Sequence, residues 1–373
     1  MKSKYLVLLS FLFAAAAHAH KPSDSYLALS VDGAAVRGQW DIALRDLEFA
    51  IGLDADGNGE ITWGELRARH NDIAAYALAR LVVRADGRDC KLSPAAHLVD
   101  EHSDGAYAVL RFDADCGTRA PVAIELAYSL FFDLDPTHRG LLRFERGGAA
   151  QTGVLSPERP RLAFKAGEDS RPAQFFDYLR EGVWHIWIGL DHILFILSLL
   201  LPSVFIFRNK EWKAAERFRD TFWDVFKVVT SFTIAHSITL SLAALSVIAL
   251  PSRLVESTIA LSVVLAALNN LKPVVAERRW AVAFAFGLIH GFGFASVLAD
   301  LGLPQGTLLL ALIGFNLGVE AGQLAIVGTF LPLAYALRGS WFYRRLVFTG
   351  GSVAIALVAL IWLVERIFDL KLL

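Results

Sequence analysis

Cysteine is scarce in this chain of 373 residues: there are two, Cys90 and Cys116. Net charge is scarcer still, since 36 Lys+Arg nearly balance 37 Asp+Glu and leave −1. No long basic run exists to neutralise a series of phosphates, which excludes a nucleic-acid partner. What the chain has in quantity is oil. Hydrophobic residues make up 55% and mean hydropathy is +0.46, too positive for one soluble domain and too positive for a soluble enzyme. The near-zero charge is a cancellation between two parts. Residues 20 to 180 hold 19 basic and 25 acidic residues, net −6, whereas residues 181 to 373 hold 15 and 12, net +3.

The first nineteen residues belong to neither part. Lys2 and Lys4 precede the apolar run Tyr5 to Ala17, and Ala17-His18-Ala19 is a small-x-small cleavage site. Together they predict a secretory signal peptide over residues 1–19, with His20 as the mature N-terminus. In an exported, oxidising compartment the two cysteines are expected to form one disulfide, Cys90 to Cys116. The α-amine and imidazole of His20 offer an N-terminal chelate for copper or nickel that His70, His97, His102 or His138 would complete.

Residues 20–146 alternate as strands over Tyr26 to Val31, Val36 to Leu44, Ala106 to Phe112, Val122 to Tyr128 and Gly140 to Phe144. This predicts an exported, mainly β, sandwich-like domain. Inserted after the second strand, residues 54–65 fit an EF-hand-like calcium loop at each defining position. Asp54, Asp56 and Asn58 would supply side-chain oxygens, Glu60 its carbonyl, Thr62 a direct or water-mediated ligand and Glu65 a bidentate carboxylate, with Gly59 at the sharp turn. A helix is expected to leave the loop over Trp63 to Val83. Ca2+ is therefore the expected cofactor, in a role that rigidifies the domain.

Residues 147–174, rich in Gly, Pro, Ser and charge, read as a linker or irregular hairpin region. Residues 175–373 read as an all-α transmembrane domain of six spans: His185 to Phe207, Lys227 to Leu250, Leu254 to Leu271, Trp280 to Asp300, Leu308 to Leu331 and Leu346 to Glu365. Phe175, Phe176, Tyr178, Trp184 and Trp187 would form an aromatic belt at the start of the first. The connections after spans one, three and five carry eleven Lys and Arg, against three on the other side. The positive-inside rule then predicts a multi-pass protein of a bacterial inner membrane, with the N-terminal domain and the C-terminus in the periplasm.

Each histidine after Arg180 falls in a span: His185, His192, His236 and His290. His185 and His192 are seven apart and share a helix face, with Gly189 placed to loosen the turn between them. Asp191 lies beside them; Asn316, Glu320 and Gln323 form a stripe on span five, opposite Gly314, Gly318 and Gly322. Polar groups in lipid persist where they pair or line a cavity. Imidazoles with a carboxylate suit nickel, cobalt or zinc and suit magnesium or calcium poorly. His185, Asp191, His192, His236, His290, Asn316 and Glu320 are the expected transition-metal site. Gly189-Leu-Asp-His192 in span one also matches Gly287-Leu-Ile-His290 in span four, the trace expected of an inverted repeat around a central site.

The stretch His185-x5-Asp191-His192, with Phe-Thr-Ile-Ala-His236-Ser and Gly-Leu-Ile-His290-Gly-Phe-Gly-Phe-Ala, resembles the HupE/UreJ family of membrane proteins, regarded as nickel permeases, over about residues 175 to 373. More distantly it is similar to the nickel/cobalt transporter family. The chain departs from the shorter members in carrying Ile186 where they usually have proline, and in its exported domain. The resemblance implies a permease for Ni2+ or Co2+ and no enzyme activity. Alternatives from other classes are a membrane-anchored periplasmic sensor or assembly factor, an intramembrane zinc hydrolase and a haem-binding anchor. Expected partners are the lipid bilayer and divalent ions, with a periplasmic protein or a second copy of the chain as further candidates.

Overall fold

The computed structural model describes residues 23–102, 105–117, 119–165, 171–248, 250–293 and 305–368, so the expected signal peptide and His20 lie outside the described residues. Contacts divide the chain into two units, with the main boundary between Asp177 and Tyr178.

The first unit is built of strands. β1 (Asp24–Asp32) and β2 (Ala35–Ala43) form a hairpin; β2 pairs with β6 (Gly105–Asp115), and β6 with β5 (Lys91–His102). On the other side β1 runs parallel to β8 (Arg139–Arg146), which pairs with β9 (Ala149–Leu155). A second sheet has the order β10 (Arg161–Lys165), β7 (Ala123–Tyr128), β3 (Leu81–Ala85), β4 (Arg88–Asp89). The period of two explains the packing. In β7, Ile124, Leu126 and Tyr128 are buried while Glu125 is exposed. Such side chains from both sheets, among them Leu27, Trp40, Phe112, Leu142, Leu162 and Phe164, share one core. Each contributes roughly 1.5–3 kcal/mol on burial, which holds the two sheets together as a sandwich.

Two expectations need correction here. The stretch 147–174 is not irregular throughout: it supplies β9 to one sheet and β10 to the other. The helix expected over Trp63 to Val83 is shorter and broken. It consists of α2 (Trp63–Ala68) and α3 (His70–Leu78), and Leu81–Ala85 leaves to pair with β7. The β-branched run Val82-Val83 gains a ladder there that a helix could not offer. Before the calcium-type loop stands α1 (Leu44–Ile51), so helices flank the loop on both sides.

The second unit is helical. α4 (Arg171–Ile188) is followed after Gly189 by α5 (Leu190–Leu200), and the two are bent by 72°. A short hairpin of β11 (Phe205–Arg208) and β12 (Glu211–Ala214) leads to α6 (Phe218–Ala244), α7 (Ser252–Leu271), α8 (Arg279–His290) and α9 (Gln305–Leu337). A π-helical stretch, Phe342–Gly350, then runs into α10 (Gly351–Phe368). Among the described residues four helices are long and apolar enough to cross a membrane, five if the bent pair counts as one. Six spans were expected. The expected fourth is here the 12-residue α8, and the rest of that stretch, 294–300, lies outside the described residues. The first also differs: it is a broken helix that starts upstream of His185 and stops before Phe205, which enters the hairpin.

Glycines set the close helix crossings. A Cβ on Gly182 of α4 would lie 2.1 Å from the Phe315 carbonyl oxygen, and one on Gly318 of α9 would lie 2.0 Å from that of Leu179. α4 and α9 therefore touch backbone to backbone, as small residues permit within a membrane.

Candidate metal centre

The bend at Gly189 assembles the cluster. A Cβ there would sit 2.8 Å from the His185 carbonyl oxygen and 2.9 Å from His192 Nδ1, so a larger residue would push the two histidine turns apart. With glycine in place, the rings of His185 at the end of α4 and His192 at the start of α5 have centroids 4.6 Å apart. His236 of α6 lies 6.4 Å from the His192 ring and His290 of α8 lies 5.4 Å from it. Four histidines from four helices thus meet around His192.

Their nitrogens are largely uncommitted. His185, His192 and His236 each offer a ring nitrogen, and these lie within 4.8 Å of one another. His192 Nε2, His236 Nδ1 and Nε2, and His290 Nδ1 are buried with no hydrogen-bond partner among the described residues. A buried polar atom left unpaired costs roughly 1–3 kcal/mol, so four of them in one place are a standing cost to the fold. The remaining positions are fixed. His192 Nδ1 lies 3.0 Å from Asp191 Oδ1, which also accepts from the His192 backbone N–H at 2.8 Å. That carboxylate holds the ring by Nδ1 and leaves Nε2 unspent. His290 Nε2 lies 2.9 Å from the Ser262 hydroxyl of α7.

The α9 residues stand beside this group. Asn316 approaches His236, and its Oδ1 is buried without a hydrogen-bond partner among the described residues. Glu320 Oε1 accepts from the Thr230 hydroxyl at 2.8 Å while Oε2 is buried and unpartnered among the described residues. Thr233 donates to Gln323 Oε1 at 3.0 Å. Glu320 is therefore outside the three-nitrogen group, held by α6 one to two turns away from His236. Sequence reasoning did not single out Thr230 or Ser262. A lone hydroxyl in an apolar run is equally consistent with bonding its own helix, as Ser262 does to the Ile259 carbonyl.

In the β unit, Asp54, Asp56 and Glu65 bring carboxylate oxygens within 4.8 Å of one another. The loop's own N–H groups point at them. Gly59 N donates to Asp54 Oδ2 at 2.7 Å and Gly57 N to Oδ1 at 2.8 Å, which holds this carboxyl below the usual range. Glu65 is likewise lowered, chiefly by Thr62 N at 2.9 Å, and its other oxygen accepts from Ala55 N at 2.8 Å. Thr62 Oγ1 accepts from Glu65 N, closing a capping box on α2. Asn58 Oδ1 accepts from Glu60 N at 2.7 Å. Cys90 and Cys116 are joined by a disulfide with Cα atoms 4.4 Å apart, one position beyond the Lys91–Asp115 rung of the β5–β6 ladder.

The other histidines of this unit do not gather. His138 is fully buried between Ser23 and Tyr128, His102 stacks on Tyr26, and His70 stacks on His97 with centroids 4.4 Å apart. The N-terminal chelate expected at His20 lies outside the described residues. A comparison with curated proteins gives no match. The family model described as HupE / UreJ protein matches residues 162–366, more than half of the chain and all of the histidine cluster, and the chain belongs to that family.

Proposed function

We propose that the helical unit carries a divalent transition-metal ion, nickel or cobalt, through the membrane by way of a station formed by His185, Asp191, His192, His236, His290, Asn316 and Glu320. The observation that carries this reading is the convergence of three imidazole nitrogens within 4.8 Å beside buried, unspent ring nitrogens. A borderline cation satisfies such donors, which magnesium and calcium do not favour. Membership of the HupE/UreJ family suggests the same, a nickel or cobalt transporter-like role. The break in the first helix adds to it. The carbonyl end of α4 and the carboxylate of Asp191 place negative charge at the cluster, the latter set against the positive N-terminus of α5, in the manner of discontinuous helices that hold ions in transporters. A zinc hydrolase would need a carboxylate beside the nitrogens to activate water; Asp191 is tied to His192 and Glu320 stands outside the three-nitrogen group, which favours carriage over hydrolysis.

In this reading the ion enters from the side of the exported domain, exchanges water for imidazole at His185 and His192, and leaves toward the side of the basic connections. Proteoliposomes holding the full chain should take up radiolabelled nickel or cobalt, and His192→Ala should abolish it. Equal uptake by the two would sink the proposal.

For the exported unit we propose a resident Ca2+ held by Asp54, Asp56, Asn58, the Glu60 carbonyl, Thr62 and Glu65. Its support is the fit of the loop to the ligand spacing and the gathering of its three carboxylates. The ion would neutralise charge that the loop's N–H groups now offset only in part, and tie α1 to α2.

A further inference from the structure

Below the histidine cluster lies a second arrangement that carriage does not by itself explain. Phe195 and Phe232, centroids 5.1 Å apart, pack against His290 at 4.8 and 5.3 Å, and Phe232 also faces His236 at 6.0 Å. On their far side is a cavity of about 10 Å³, room for one water, lined by this pair with Val228, Val229, Gln323 and Arg279. Arg279 is the only charged group in that lining, and its side chain is 14% exposed. Its Nη1 lies 3.3 Å from Asp224 Oδ2 of α6, and its Nη2 donates to the Leu199 carbonyl at the end of α5. Cluster, aromatic pair, water-sized space and tethered guanidinium therefore follow one another toward the end of the unit that bears the β11–β12 hairpin.

We propose that Arg279 is the seal of the permeation route at this end. A guanidinium stays charged under all working conditions and repels a divalent cation, so the route is closed to the ion while Arg279 faces the cavity. It opens when the guanidinium releases the Leu199 carbonyl and is left to Asp224 alone, the partner it already has, whose side chain is 53% exposed and can draw it to solvent. α5 supplies the link to occupancy. His192 is near its start and Leu199 near its end, two helical turns apart on one helix that begins at the 72° break after Gly189. An ion that pulls His192 toward His236 swings the Leu199 carbonyl away from Arg279. The inference rests on the carrier reading for its purpose, yet the seal itself can be observed without any metal.

The test uses the full chain in detergent with Val229→Cys as reporter. Cys90 and Cys116 are bonded to each other, so the new thiol is the one that reacts. An impermeant thiosulfonate reagent should label it slowly when Arg279 is intact. Arg279→Gln should raise the labelling rate tenfold or more, Arg279→Lys less, and Asp224→Asn in the opposite direction or not at all, because the guanidinium then loses its open resting place. Nickel should speed labelling in the protein with Arg279 intact and leave Arg279→Gln unaffected. A rate unchanged by Arg279→Gln in a monodisperse sample overturns the seal. If that variant does not fold, a rate that Arg279→Lys leaves unchanged overturns it instead. Absence of nickel uptake in proteoliposomes overturns the carrier reading, whatever the labelling shows.

Discussion

Both units bury histidine, and they treat it in opposite ways. In the β unit, Ser23 Oγ lies 2.5 Å from His138 Nδ1 and Tyr128 Oη lies 2.5 Å from its Nε2. Tyr128 reaches on to Ser25 at 2.7 Å, and Trp40 Nε1 donates to that hydroxyl at 3.1 Å. In the helical unit His236 is as thoroughly buried, yet both its nitrogens lack a hydrogen-bond partner among the described residues. Burial alone thus says little about a histidine. What separates a structural ring from a candidate ligand is whether its nitrogens are spent on the fold.

The sharpest way to break this comparison is to delete one ring of each kind. His138→Ala removes both hydrogen bonds, leaves the Ser23 and Tyr128 hydroxyls with only Asp46 and Ser25 as partners, and opens a cavity, which should cost the β unit roughly 3–5 kcal/mol. His236→Ala opens a comparable cavity but takes from the fold only the ring's approach to Asn316, so it should cost about 1–2 kcal/mol less than His138→Ala while nickel binding falls at least tenfold. Hydrogen exchange of β1 and α6 amides, with a nickel titration, reads both. Equal losses of stability would remove the distinction.

Burial also makes His138 sensitive to acid. Burial, with the Arg139 and Arg45 charges, pushes its pKa down to about 3 from an ordinary 6.5. Between these values the unfolded chain takes up a proton that the folded ring refuses. Stability is therefore full above pH 6.5 and should fall by about 1.4 kcal/mol per pH unit as the pH drops toward 3. Asp46, raised by burial and bonded to Ser23, acts in the opposite sense near its own range and trims the slope at the acid end. Exchange rates measured from pH 7 to 4 should show the slope in the natural chain and lose it in His138→Ala.

How far these differences could be read from sequence depends on the kind of signal. His185, Asp191, His192, His236 and His290 were legible because polar residues in apolar runs have few reasons to be there. Gly189 was marked, though not that it turns the chain by 72°. The strands β9 and β10 were hidden by Gly147, Gly148, Pro157 and Pro160, which look like linker and in fact end short strands whose alternation, Leu162 and Phe164, spans only a few residues. Leu81 to Ala85 continued an apolar helical pattern, and only pairing with β7, far away in sequence, decides for strand. Arg279 escaped notice because a basic residue at a span end is what orientation alone requires; its burial is a tertiary fact.

A third test asks whether the β unit holds an ion of its own. If calcium fills the Asp54–Glu65 loop, adding it at a hundred times its Kd should stabilise that unit by about 2.7 kcal/mol, and Glu65→Gln should abolish the gain. Exchange at α1 and α2 should slow with calcium and leave the helical unit untouched. No slowing at millimolar calcium would make the loop a capped surface turn.

The smallest expected effect compares two His–Asp pairs of nearly equal length. His102 Nε2 lies 3.2 Å from Asp41 Oδ2 in the β unit, and His192 Nδ1 lies 3.0 Å from Asp191 Oδ1 in the helical one. In the first the ring stacks on Tyr26 and meets Tyr107 at a tilt, and the two tyrosines touch each other, so the pair completes a packed cluster. In the second the carboxylate engages Nδ1 and leaves Nε2 unspent beside His185 and His236. Asparagine keeps the shape and an accepting oxygen, so His192 should hold its orientation in Asp191→Asn while the negative charge is lost. Nickel affinity should then drop roughly 10- to 100-fold, the scale of a lost carboxylate behind a ligating histidine. Asp41→Asn should leave nickel affinity unchanged. Matching losses in the two variants would mean that Asp191 serves the fold rather than the ion, and that the bend at Gly189 needs the carboxylate for packing alone.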